Sequence, residues 1–230
     1  MKVSLLLLLL WACAPGALAQ GDEKPPFKMP CQQVLKLGQN KFMNVYGETT
    51  GDYSTYGMKQ GFGYYADCKR ADNDARASRL AGDRRRQVDE VREALQKLGN
   101  AGWTMRYIME GGGTMWSLAS VGAYAEREDF MQEIIAAFAK PLTKDGRQRR
   151  RALLNVRRAQ GLLARHARPP KLEFTTASEK AEQRKLYQET VKEAREAAAE
   201  LQALINALPD AAAERTAKRM ADELDAAFNN

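Results

Sequence analysis

The arginines Arg147, Arg150, Arg151, Arg157, Arg158, Arg165 and Arg168 carry the strongest chemical signal in the chain. A guanidinium is planar, permanently charged and able to donate two parallel hydrogen bonds, which suits it to phosphate and carboxylate. At about 100° per residue, Arg147, Arg151, Arg158 and Arg165 share an arc of about 40°, with Arg150, Arg157 and Arg168 beside it. Ala152, Val156, Ala159, Leu163 and Ala167 take the opposite side. The pattern predicts a helix over 145–167 bearing a basic stripe about 32 Å long, interrupted by Leu154. Between Thr143 and Leu172 stand ten Lys or Arg and one acid, so this stretch outweighs the +7 of the whole chain.

Such a stripe fits an anionic partner: an envelope polymer, lipopolysaccharide, acidic lipid headgroups or nucleic acid. Nucleic acid ranks below the others, because the stretch lacks aromatics on which bases could stack. The competing expectation is internal. Glu182, Glu189, Glu193, Glu196 and Glu200 share an arc on the next helical segment. A fold-back at Pro169-Pro170-Lys171-Leu172 would set Arg151 opposite Glu193, Arg147 near Glu196 and Arg157 near Glu189.

Other reactive groups are sparse. His166 is the only histidine, with no Ser, Cys or acid close in sequence to complete a nucleophile relay. Two thiols and one imidazole are too few for a metal centre, so no metal or cofactor is expected. Glu110-Gly111-Gly112-Gly113-Thr114 could form an anion nest, yet it lacks the lysine and spacing of a phosphate loop.

Ser54-Thr55-Tyr56-Gly57-Met58-Lys59-Gln60 resembles the S-x-x-G-[LI]-x-Q stretch of lysozyme-like and lytic transglycosylase enzymes, over those seven residues only. The resemblance implies glycan cleavage by a sheltered general-acid carboxyl. Glu48 and Asp52 are the upstream acids within reach, and Tyr53, Tyr56, Tyr64 and Tyr65 could line a sugar groove. Both acids lie too near the stretch for that layout. The sequence assigns no catalytic residue.

Lys2, the apolar run Leu5 to Leu10 and Ala17-Leu18-Ala19 have the order of an export signal, 1–19, removed before Gln20. Leu10-Trp11-Ala12-Cys13 resembles a lipoprotein cleavage box, whose alternative outcome is lipid anchoring through Cys13. Export predicts a periplasmic or extracellular protein, where Cys31 and Cys68 would be bridged. The turn-forming run Gly47 to Asp52 lies midway between them, so an antiparallel helical hairpin would bring both sulfurs to one height.

The elements that position these groups are helical throughout. A Pro-rich extended lead-in, 20–30, precedes a first helix over 31–46. A second runs from about 54 to 98 and stops at Gly99-Asn100. A third begins at Trp103, breaks at Gly111-Gly112-Gly113, restarts at Thr114 and ends near Ala139 before Pro141. Thr176-Ala177-Ser178-Glu179 has the form of a capping box. It opens a helix whose Tyr187, Val191, Ala194, Ala198, Leu201, Ile205 and Leu208 form a coiled-coil-like seam. Pro209-Asp210 then starts a last helix ending near Phe228.

The expectation is an all-α, elongated helical bundle built of antiparallel helical hairpins. A disulfide-clasped bundle (31–141) would precede the basic helix and C-terminal hairpin (142–230). The expected role is non-catalytic, at the cell envelope, holding an anionic partner by the arginine stripe. A cell-wall glycan-cleaving enzyme and a purely structural or chaperone-like protein are the alternatives. Homo-oligomers through the C-terminal helices are compatible with the seam.

Overall fold

The computed structural model describes residues 27–110, 114–138, 146–168 and 176–228, with side chains for all of these except 110 and 114–123. The leader, Cys13, most of the lead-in, the three-glycine run, Pro141, Asp145 and the Pro169-Pro170 turn lie outside the described residues. Nothing in the described residues is strand. The fold is an elongated all-helical bundle with a disulfide between early helices.

Helix α1 (Cys31–Leu37) and helix α2 (Gln39–Thr50) replace the single helix expected over 31–46. Gly38, at φ +73° and ψ 163°, takes an extended positive-φ conformation open to glycine, which ends one and begins the other. Gly51, also at positive φ, closes α2 by donating its N–H to Gly47 O at 2.8 Å. Helix α3 (Thr55–Ala77) starts on Ser54, whose hydroxyl accepts the Gly57 N–H at 3.1 Å.

The expected 54–98 helix is in fact two. Ser78 donates its hydroxyl to Ala75 O, and Leu80 N–H bonds Ala77 O, tightening the chain into a turn. Leu80, half-buried, packs there against the core. Helix α4 (Gly82–Glu110) then runs for 29 residues, straight through the expected stop at Gly99-Asn100. Glycine persists in that interior for a tertiary reason. A Cβ at Gly99 would collide with the Arg127 guanidinium, and one at Gly102 would come 3.1 Å from Ala227 Cβ. Neighbour packing outweighs a propensity cost of about 1 kcal/mol per glycine.

Helix α5 (Thr114–Phe138) follows; the break expected at Gly111-Gly112-Gly113 lies outside the described residues. Helix α6 (Arg147–Arg165), helix α7 (Ala177–Ala207) and helix α8 (Asp210–Phe228) complete the described chain. The capping box at α7 forms in both directions, with Glu179 N–H to Thr176 Oγ1 at 3.2 Å and Thr176 N–H to Glu179 Oε2 at 2.8 Å.

Two apolar cores result. The larger draws Val88, Leu95 and Met105 of α4, Ile134 and Phe138 of α5, Val156 of α6, Leu201 of α7 and Leu224 of α8 into one cluster. Every residue of the α7 seam from Tyr187 to Leu208 is buried, chiefly against α4 and α8. The smaller core gathers α1, α2, α3 and Ala125. Phe27 sits among its rings, 4.7 Å from Tyr46 and 5.4 Å from Tyr64 between centroids. Tyr64 pins the lead-in by donating its hydroxyl to Met29 O at 2.7 Å and accepting Met29 N–H at 3.3 Å. Cys31 and Cys68 are bonded, with Cα atoms 5.0 Å apart, tying α1 to α3.

Candidate functional site

Helix α6 has no acid in its sequence, and its packing decides which arginines remain available. Ala152, Val156, Ala159, Leu162 and Leu163 are buried, while Arg147, Arg150, Arg151, Arg157, Arg158, Arg165 and Arg168 are all exposed. Helix α8 lies along α6, and their contacts advance together: Arg149 with Asp210, Arg151 with Glu214, Arg158 with Asp222 and Asp225. The two helices therefore run in the same direction, with the acids of α8 along one flank of the stripe.

This arrangement corrects the expected pairing with α7. Arg151 meets Glu214 at 3.2 Å, not Glu193. Glu189 and Glu196 instead pair within α7, with Lys185 and Lys192 at 3.9 Å each. Glu200 takes Lys97 of α4 at 3.2 Å. The register behind the expectation was also displaced. Gln160 bonds Gln202 at 2.8 Å, and the Tyr187 hydroxyl donates to His166 O at 3.2 Å. Helix α7 begins only at Ala177, several residues beyond the assumed turn, so each residue of α6 meets a later one.

Arg149, outside the expected stripe, is held at three points. Its guanidinium donates to the last carbonyls of α7, Ile205 O and Leu208 O (2.7 Å for the latter), and to Asp210 Oδ1 at 3.1 Å. It thus closes the C-terminus of α7 and grips the first turn of α8 with one side chain. Arg149, Arg151 and Arg158 form the flank paired with α8. Among the described residues, Arg150, Arg157, Arg165 and Arg168 have no ion-pair partner. Their side is shared with Leu153 and Leu154, which stay 48% and 63% exposed.

His166 ends α6 with its ring stacked on Phe228, centroids 3.8 Å apart and planes within 2°. Burial, then the neighbouring Arg165 charge, pushes its imidazole below the usual 6.5. The folded chain prefers the neutral ring, so this contribution is present above about pH 6.5 and is lost as pH falls below it. We expect His166→Phe, which keeps the stacking, to lose less stability between pH 7.5 and pH 5.5 than the parent in urea unfolding. An equal loss in both chains would refute that role.

Charged groups also lie inside the bundle, where their residue types alone would not place them. Glu223 of α8 holds Arg127 of α5 at 3.2 Å and Arg219 at 2.9 Å, with Arg127 and Glu223 side chains only 7% and 8% exposed. Glu128, 1% exposed, takes Asn73 Nδ2 at 2.9 Å and Arg92 Nε at 3.4 Å. Helical spacing was the available signal: Arg127 precedes Met131 and Ile134 by four and seven residues. A cavity of about 230 Å³ beside this network is walled by Trp103, Arg106, Arg219 and Glu223. Arg106 donates there to Ala226 O and Arg219 to Glu223, so the cavity's cations are already committed to the protein.

The lysozyme-like stretch is accounted for by local structure. Ser54 caps α3, Gly57 leaves room for the Asp52 carboxyl, and Gln60 Oε1 accepts the Tyr46 hydroxyl at 3.5 Å. Asp52 Oδ1 accepts Ser54 N–H at 2.9 Å, and Glu48 lies exposed on α2, without an apolar enclosure. No cluster of three metal-ligating side chains occurs among the described residues. No family model matches the chain, and no curated protein or solved structure is significantly similar to it.

Proposed function

We propose that the chain is an exported, non-catalytic helical protein of the cell envelope whose α6 binds an anionic partner. The observation that carries this reading is the division of the stripe. Arg151 and Arg158 meet the acids of α8, whereas Arg150, Arg157, Arg165 and Arg168 face solvent with no ionic partner among the described residues. A solvent-facing row of unneutralised guanidinium groups raises the local concentration of anions and donates paired hydrogen bonds to them.

The Cys31–Cys68 bond supports export to the periplasm or outside the cell, since thiols in the cytosol are kept reduced. The flank paired with α8 supports a structural role for the same helix, and the two roles coexist. Arg149, Arg151 and Arg158 hold α8 in place, while the outward residues remain for a partner. In this reading the antiparallel run of α6 and α7 forms a C-terminal hairpin that presents the basic face.

Retention on immobilised heparin tests it. We expect elution at a salt concentration that falls markedly in Arg150→Gln/Arg157→Gln, because each lost contact removes one ion-exchange term. Arg151→Gln/Arg158→Gln should move elution less, since both side chains are already neutralised by α8. Equal shifts for the two pairs, or passage of the parent without retention, would sink the assignment.

A further inference from the structure

The strongest unexplained feature of α6 is apolar. Leu154 is 63% exposed and Leu153 48%, although the rest of the helix segregates its apolar residues against the core. At about 100° per residue, Leu154 falls near the pole opposite Ala152 and Val156, between the directions of Arg150 and Arg165. Gly161 and Ala164, both exposed, lie on the same side and add no bulk. Two adjacent leucines left this open to water contribute little to the fold and nothing to binding a hydrated polysaccharide or a phosphate backbone. A lipid interface uses both kinds of side chain at once. Guanidinium groups reach headgroup phosphates along their aliphatic stems, and leucines leave water for the acyl boundary.

We infer that the partner of this face is the surface of a bilayer rich in acidic phospholipid, with Leu153 and Leu154 entering the headgroup layer and Arg150, Arg157, Arg165 and Arg168 holding phosphates around them. The inference rests on the anion-binding reading of α6 and narrows it to one partner. Charge complementarity selects that occupant. Helix α6 contains no acid, and Glu214, Asp222 and Asp225 on its α8 flank are engaged by Arg151 and Arg158. A second copy docked on the same face would oppose arginine to arginine. Attachment would be peripheral, because no helix among the described residues is long and apolar enough to cross a membrane.

The test is flotation of the full, oxidised chain with phosphatidylcholine vesicles, with and without phosphatidylglycerol, beside the heparin column. The parent should float with the acidic vesicles and stay behind with the neutral ones. Leu153→Gln/Leu154→Gln should weaken acidic-vesicle binding by about tenfold or more while leaving heparin elution in place. Both leucines are exposed, so the substitutions spare the core. In Leu154→Trp, indole emission should shift to the blue on acidic vesicles. Undiminished flotation of the double glutamine variant, or an unshifted indole, overturns membrane docking but leaves anion binding standing. Loss of heparin retention in the parent overturns the underlying reading instead.

Discussion

Glu223→Ala should lower the stability of the chain by about 3–5 kcal/mol, the largest effect expected of any single charged residue here. The carboxylate neutralises two guanidiniums at once: Arg127 Nε at 3.2 Å and Arg219 Nη2 at 2.9 Å. Arg219 is partly exposed and can turn to water. Arg127 cannot, since its side chain is 7% exposed and its guanidinium occupies the space left by Gly99. Truncating Glu223 therefore leaves an enclosed cation with its hydration removed and its counter-charge gone. The pair itself need not favour folding over an apolar alternative, because burying both charges costs about as much as their attraction returns. That asymmetry supplies the control. Arg127→Met/Glu223→Leu should recover at least half of the loss, whereas the single alanine keeps all of it. Urea unfolding at pH 7 measures both. A single-variant cost below about 1 kcal/mol would show that Arg127 finds water or another acceptor, contrary to this geometry.

Legibility in the sequence follows the range of the interactions involved. The α7 seam and the capping box at Thr176 were readable because each is decided within a few residues of itself. The pairing of Cys31 with Cys68 was readable because the turn-forming run at 47–52 sits midway between them. The break at Ser78 to Ala81 was not. It carries no proline, and the turn is marked only by the short-range bonds Ser78 Oγ to Ala75 O and Leu80 N–H to Ala77 O. Gly99 was misread because its purpose is a guanidinium 28 positions later. Within the basic stripe, periodicity located the face but not its division. Which arginines are paired depends on α8 lying beside α6, and nothing near residue 150 encodes the arrival of Glu214 or Asp225. Arg127, Glu128 and Glu223 looked like ordinary surface charges by type. Their spacing from Met131, Ile135 and Ala227 placed them on buried faces, so spacing outranked residue type at all three.

Breaking the Cys31–Cys68 bond should release α1 before anything else and lower overall stability by about 3–4 kcal/mol. Helix α1 has seven residues and a single fully buried one, Val34, far short of the length at which an isolated helix holds itself together. Its position relies on the bond to α3 and on the lead-in beside it, where Phe27 joins the aromatic cluster and Met29 meets the Tyr64 hydroxyl. Without the bond, the 37-residue separation between the cysteines restores freedom to the unfolded chain, and the short helix loses its tether in the folded one. Amide exchange across 31–37 should therefore rise sharply in Cys31→Ser, and the melting midpoint should fall by roughly 6–16 °C. Helix α6 packs in the other core, so heparin retention at its unaltered salt concentration would accompany that loss. A midpoint lowered by less than about 2 °C, with exchange over 31–37 unchanged, would mean that Val34 and the aromatic cluster hold α1 on their own. Simultaneous loss of heparin retention would mean that the two cores unfold as one, and that the clasp supports the basic face as well.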